Sequence, residues 1–170
     1  MTNMARNYWM VVQTEENYQI TKKRGFDIYG LRERHRRRAQ RMGPEDRVLF
    51  YVSNIRKWVA TASITSEYFE DHSPIWKSHG GTIEEFPYRV KLAPAIVLDE
   101  KNYIDAMILG PRLEYLKRWD PERWPLAFQE TLHLLPQKDF RLIEGEMKRL
   151  LSKSSGKRGM RQIKTTRRHT

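Results

Sequence analysis

Residues able to carry out chemistry are few and poorly grouped. Histidines stand at His35, His72, His79, His133 and His169, and the chain has no cysteine. The histidines do not keep metal-ligand spacing. Without cysteine the common structural zinc sites, thiolate nucleophiles and disulfide frameworks are excluded. The lack of Cys together with the lack of a His-x-Glu pattern also removes the zinc-dependent deamination of a base. His72 and His79 share one loop segment, but two ligands do not complete a site, and both read as solvent-exposed loop residues. Glu67, Glu70 and Asp71, with the pair Glu84 and Glu85, are carboxylates of the kind that hold Mg²⁺ in nucleases, although charged loop edges look the same. Gly80-Gly81 lacks the Lys and Ser/Thr of a phosphate-binding loop. No metal or cofactor is expected.

The aromatic residues say more. Five tryptophans and eight tyrosines are many for 170 residues. Tyr29 precedes Gly30 in a polar linker, Trp76 sits in a long loop, and Trp119 and Trp124 flank Pro121. Loop aromatics supply flat faces on which a base stacks, each worth about 1–3 kcal/mol. Taken alone, any of them is better read as a lid folded onto the core. Their proximity to arginines carries the argument. Trp9 and Trp58, on strands, read as core or pocket wall.

The net charge of +11 is concentrated. Lys22, Lys23 and Arg24 contribute three charges. Arg32, Arg34, Arg36, Arg37, Arg38 and Arg41 stand against Glu33 alone, and seven Lys or Arg follow Ser152 with no acid. The remainder of the chain is slightly acidic. Clustered positive charge is the footprint of a phosphate-binding surface. Solubility, or a tail that adheres to ribosomes or membrane surfaces, is the bland alternative.

Stepping from these residues to the elements that must hold them, 39% apolar residues in 170 suit one domain with a proper core. Met1 to Arg6 has no apolar stretch of a signal peptide, and no apolar run approaches the roughly 20 residues of a membrane span. The expectation is a soluble, cytoplasmic protein. Tyr8 to Gln13 reads as a strand buried on at least one face. Glu15 to Lys23 reads as a helix capped by Thr14 and stopped at Gly25. Arg32 to Arg41 is an exposed helical segment or an irregular arm. Arg47 to Ser53 and Trp58 to Phe69 read as antiparallel strands, and Phe86 to Leu98 as a third, interrupted by Pro94 at a bulge or edge. Short helices and turns fill Asn102 to Pro125. Phe140, Ile143, Met147 and Leu150 mark an amphipathic helix over Gln137 to Leu151, beyond which the chain reads as disordered.

Taken in order, Tyr8-Trp9, Glu16-Asn17-Tyr18, Ile28-Tyr29-Gly30-Leu31, Gly43-x-x-Asp46-x-Val48-Leu49-Phe50-Tyr51, Pro87-Tyr88-Arg89-Val90 and Arg123-Trp124 resemble the EVE domain. This PUA-like family is related in structure to the YTH readers of methylated RNA. The resemblance rests on the order and spacing of the motifs together. It implies an α+β fold over 1–151, a PUA-like twisted, partly closed β-barrel with flanking helices, and leaves 152–170 as a basic, disordered tail. It also implies a pocket for a modified or flipped-out base. By resemblance Tyr29 is the aromatic of the linker motif, where the family usually has Trp, and Trp76 is a second cage aromatic. Asn17 lies near the pocket as a hydrogen-bonding group, Ser53 and Asn54 end a matching strand, and Arg123 and Trp124 match a C-terminal arginine motif. Tyr in place of Trp at position 29 stacks less surface and adds a hydroxyl, which alters the base preferred or weakens the cage.

The function expected is therefore non-enzymatic nucleic-acid binding, to DNA or RNA, with a base held in an aromatic pocket and phosphates on the arginine run. Unstacking a base costs a few kcal/mol, which stacking between two rings can offset. A methyl group adds only about 0.8 kcal/mol of burial. A PUA-type RNA binder indifferent to modification is the alternative. A hydrolase like the related ASCH proteins would need Lys57, Lys91, Glu67 and Thr65 to converge.

Overall fold

The computed structural model describes residues 6–78, 85–117, 120–128 and 130–167. His79, Gly80, Gly81, Glu84, Trp119 and His169 lie outside them. Eight strands occur among the described residues: β1 (Tyr8–Gln13), β2 (Ile28–Leu31), β3 (Arg47–Val52), β4 (Lys57–Ile64), β5 (Phe69–Glu70), β6 (Tyr88–Val97), β7 (Ile104–Asp105) and β8 (Leu132–Leu135). They form one sheet ordered β2-β6-β4-β3-β1-β8, with β5 beside β6 and β7 beside β4. β1 and β3 run parallel from Tyr8 opposite Arg47 to Gln13 opposite Val52. The other pairings are antiparallel.

β-branched and aromatic residues favour strands, and successive side chains take opposite faces. In β1, Tyr8, Met10 and Val12 join one core and Trp9 and Val11 the other. In β3 the split is Leu49 and Tyr51 against Val48, Phe50 and Val52. Both faces of the sheet are thus buried, which is why β1 carries no polar alternation. One core lies under helix α5 (Gln137–Arg167), whose Phe140, Ile143 and Met147 are buried in it. The other is enclosed by β2, β6 and helix α1 (Glu15–Lys23), which contributes Tyr18. The result is a curled, partly closed sheet with helices outside it, an α+β architecture of PUA-like form. Short helices α3 (Ala106–Leu109) and α4 (Trp124–Ala127) sit in the segment before β8.

Local signals hold where they were strongest. The Thr14 hydroxyl accepts the Asn17 N–H at 3.2 Å, and Gly25 ends α1 at φ 77° with the Phe26 N–H returned to the Thr21 carbonyl at 3.0 Å. On β6, Pro94 opposes Ala62 and Ile96 opposes Thr61, so the bulge falls at Ala95. β4 ends at Ile64, short of the Phe69 expected, and the chain resumes pairing only as β5. The arginine run is helical: a turn at Glu33–His35 leads into α2 (Arg36–Ala39), with His35 and Ala39 turned inward.

α5 continues into the segment expected as a basic, disordered tail, as far as Arg167. No proline interrupts a helix already anchored by buried residues in its first turns, while Gly156 and Gly159 weaken its continuation. Among the described residues, no helix is long and apolar enough to cross a membrane.

Candidate functional site

Parallel pairing brings the ends of β1 and β3 to the same edge of the sheet, and the chain leaves them in different directions. A pocket of about 260 Å³ opens there. Gln13 and Ser53 come from the two strand ends, Asn17 from α1, and Tyr29, Gly30 and Arg32 from β2 and the residue beyond it. Trp76 and Phe86 enter from the long loop, Tyr51 from β3, and Phe128 and Thr131 from the approach to β8. Ligand pockets run from roughly 300 Å³ upward, so the space suits a small flat group.

Trp76 is fixed from three sides. Its indole N–H donates to the Thr21 hydroxyl at 2.9 Å. The Asn17 amide grips the backbone of Lys77, donating to its carbonyl and accepting from its N–H, both at 2.8 Å. Behind the ring, the buried Arg89 guanidinium lies 5.3 Å from its centroid while donating to the Phe86 carbonyl at 3.0 Å and to the hydroxyl and carbonyl of Ser73. Gly30 completes the seat: a Cβ there would lie 2.5 Å from Trp76 Cζ3 and 2.7 Å from the Phe86 carbonyl oxygen, so only glycine allows the ring so close. Asn17 therefore lies at the pocket as expected, but its amide holds the loop rather than standing free to read a base edge.

The Thr21 hydroxyl also accepts from the Gln13 side-chain amide at 3.1 Å and gives its proton to the Asn17 carbonyl at 3.1 Å. With one proton and two lone pairs used, it fixes which end of Gln13 faces it. Gln13 Oε1 is left buried with no partner.

The two rings expected at the site lie side by side. Tyr29 and Trp76 are 6% and 7% exposed and line the pocket together. Their centroids are 6.1 Å apart with planes at 52°. A base inserted between rings needs near-parallel planes about two contacts of ~3.5–4 Å apart. No such slot exists between Tyr29 and Trp76, and this corrects the picture of a base stacked between two rings. The pocket is instead bounded by two groups of rings: Tyr29 with Trp76 and Phe86, and Tyr51 stacked on Phe128 at 4.5 Å. Burial pushes both tyrosine hydroxyls up, Tyr51 to about 12, so both stay protonated and can donate.

Other expected residues lie elsewhere. Ser53 lines the pocket, but Asn54 does not; its side-chain oxygen accepts the Glu15 N–H at 2.9 Å and serves the start of α1. Trp124 is buried in the core under α5, packed so closely on Gly110 that a Cβ there would lie 2.6 Å from the ring. Arg123, beside it, is exposed and away from the pocket. A tryptophan next to prolines had the look of a loop residue, yet the short α4 turns it inward. The six arginines diverge. Arg32 is at the pocket, Arg34 pairs with Glu130 at 3.3 Å, Arg36 lies over the Tyr88 ring, and Arg38 donates to the Leu132 carbonyl at 2.9 Å. Arg37 and Arg41 are exposed. Gln13, Tyr51, Phe86, Phe128 and Thr131 were missed as wall residues. Only Tyr51 stood in a quoted motif, and nothing in the local pattern marked the approach to β8.

Among the described residues the pocket wall contains no Asp, Glu, His or Lys, and its one charged residue is Arg32. None of Lys57, Lys91, Glu67 and Thr65 lines it. Among the described residues no group of three or more His, Cys, Asp or Glu could hold a metal. His72 is exposed between Glu70 and Glu85, and its hydrogen bond to Glu85 raises its pKa.

A UPF0310 protein of Pyrococcus horikoshii is 31% identical over 147 residues, which is 81% of this chain and 96% of the relative. Among solved structures, the YTH domain of mmi1 in complex with RNA superposes with a TM-score of 0.65 at 10% identity, covering 89% of this chain and 87% of that one. The YTH domain of Zygosaccharomyces rouxii MRB1 in complex with N6-methyladenosine RNA gives 0.61 at 14% identity, covering 85% and 88%. The family model of the EVE domain matches residues 7–144, and the chain belongs to that family.

Proposed function

We propose that the protein is a non-enzymatic reader that takes a flipped-out or modified base of a nucleic acid into the pocket bounded by Tyr29, Trp76, Phe86, Tyr51 and Phe128. The observation that carries this reading is a wall of five rings and polar groups that includes, among the described residues, no Asp, Glu, His or Lys. Such a wall suits the burial of a flat heterocycle. The kinship in fold to YTH domains solved in complex with RNA, one of them with N6-methyladenosine RNA, agrees with it. Arg32 at the mouth and the arginines beyond it supply the salt-dependent attraction for phosphates.

The test is fluorescence anisotropy with modified and plain oligonucleotides, single- and double-stranded, as RNA and as DNA. Trp76→Ala should weaken binding to the preferred modified oligonucleotide about 5- to 150-fold, the equivalent of ~1–3 kcal/mol of stacking, with less effect on plain sequence. Tyr29→Phe, which keeps the ring, should keep affinity and alter the preference among bases. Equal affinity of every variant for modified and plain strands would reject the reading.

A further inference from the structure

Three depressions surround the arginine segment, and their charges differ. The one toward β6 sets Arg32 and Arg34 against Glu33, Glu70 and Glu85. The one toward the turn before β3 sets Arg6 and Arg41 against Glu45, Asp46 and Glu67. The third, about 530 Å³, has Arg38 and Arg41 with the single carboxylate of Glu130. Glu130 is already engaged by Arg34 at 3.3 Å and His35 at 3.2 Å. A phosphate approaching either of the first two meets three carboxylates. At the third it meets an excess of positive charge.

This third groove also adjoins the base pocket. Phe128 and Thr131 face the pocket, while Ala127, Glu130 and Leu132, from the same stretch of chain, face the groove. Leu126 and Leu134, 52% and 42% exposed, give it an apolar side. β8 is the last strand of the sheet. The Thr131 carbonyl turns to β1, accepting the Val12 N–H at 3.0 Å, and the Leu132 carbonyl turns out to Arg38. By the same alternation the N–H and carbonyl of Leu134 face outward along the groove. His133 is part of the floor. Its Nε2 donates to the Glu130 carbonyl at 2.7 Å, and burial lowers its pKa and favours the neutral ring, whose Nδ1 accepts from the Tyr115 hydroxyl at 2.8 Å.

We propose that the groove of Arg38, Arg41, Leu126 and Leu134 seats the nucleotide flanking the base held in the pocket. Its phosphate lies toward the two arginines and its sugar or base over the two leucines. The strand therefore leaves the pocket across β8 and not across β6. This inference rests on the base-reading function proposed above.

The experiment compares N6-methyladenosine 5′-monophosphate with trinucleotides carrying N6-methyladenosine at the 5′ or the 3′ end, titrated into the full chain. Extension on one side should tighten binding about tenfold or more over the mononucleotide. In Leu134→Glu, and separately in Leu126→Glu, that gain should vanish while mononucleotide binding is unchanged. Two variants on different elements guard against a local folding defect. The gain surviving in both well-folded variants would overturn the groove assignment and leave the pocket intact. A wild-type protein that binds none of these probes, nor the wider oligonucleotide panel, would overturn both.

Discussion

At Gly30 a single missing methyl group decides whether the pocket has its wall. Gly30→Ala would place a Cβ against the Trp76 ring and against a backbone oxygen that cannot rotate away. The ring must tilt or the loop must lift. The expected outcome is a loss of about 1–3 kcal/mol in urea denaturation, as for other overpacked sites, with a shift in tryptophan emission and loss of base binding. Sequence showed this residue as part of a motif but not the reason for it, because the crowding atoms come from positions 76 and 86. Tyr29 and Trp76 were legible as a pair. Their mutual tilt was not, because it is set by Thr21, Asn17 and Arg89 acting from two other elements. Gln13 escaped notice for a similar reason: on a strand buried on both faces, a polar residue at the end reads as a boundary.

At the scale of elements, the seam between the arginine segment and the start of β8 carries a pH lever. Burial first, then the neighbouring Arg34, lowers the His35 pKa from 6.5 to about 4, against the pull of Glu130 in the other direction. His133, in the same seam, is lowered by burial as well. The folded chain therefore prefers these rings neutral. Below pH 6.5 the unfolded chain binds a proton that the folded chain refuses until about pH 4. Stability should be full above that window and fall through it. Thermal melts of wild type and His35→Gln from pH 7.5 to 4 should diverge, with the variant losing up to about 1.4 kcal/mol per pH unit of the slope. Thr131, hydrogen-bonded to His35 at 3.0 Å, lines the base pocket, so acid should loosen its wall as well. Long strands and helices with clear period or caps could be read from the chain. The four-residue β8 could not, since it is too short to show a pattern and owes its place to pairing with β1.

For the whole molecule, the basic tail and the proposed base pocket lie in different parts. The recognisable domain ends near the last buried residues of α5, and seven of the basic residues follow Ser152. Truncation after Leu151 takes the formal charge from +11 to +4. Phe140, Ile143 and Met147 are retained, so the melting temperature should change little. The affinity for plain strands should fall, and the slope of log affinity against log salt should flatten by as much as about 0.7 for each lost contact to a single strand. Discrimination between modified and plain bases should survive, since no pocket residue is removed. The concentration of charge was readable from composition alone. Its division into three unlike faces depends on which carboxylates the fold brings alongside, and those come from residues 33 to 130.

Arg38 does a second service at the end of the sheet. Its guanidinium occupies the outward carbonyl of Leu132, on a strand whose other side is already paired, next to a half-exposed leucine. An uncovered strand of this kind is a template onto which another chain can add its own. The same side chain placed to meet a phosphate therefore covers one of the outward acceptors that such a template needs. Loss of Arg38 would act first on self-association, with aggregation appearing as protein concentration rises, before any effect on a ligand could be read.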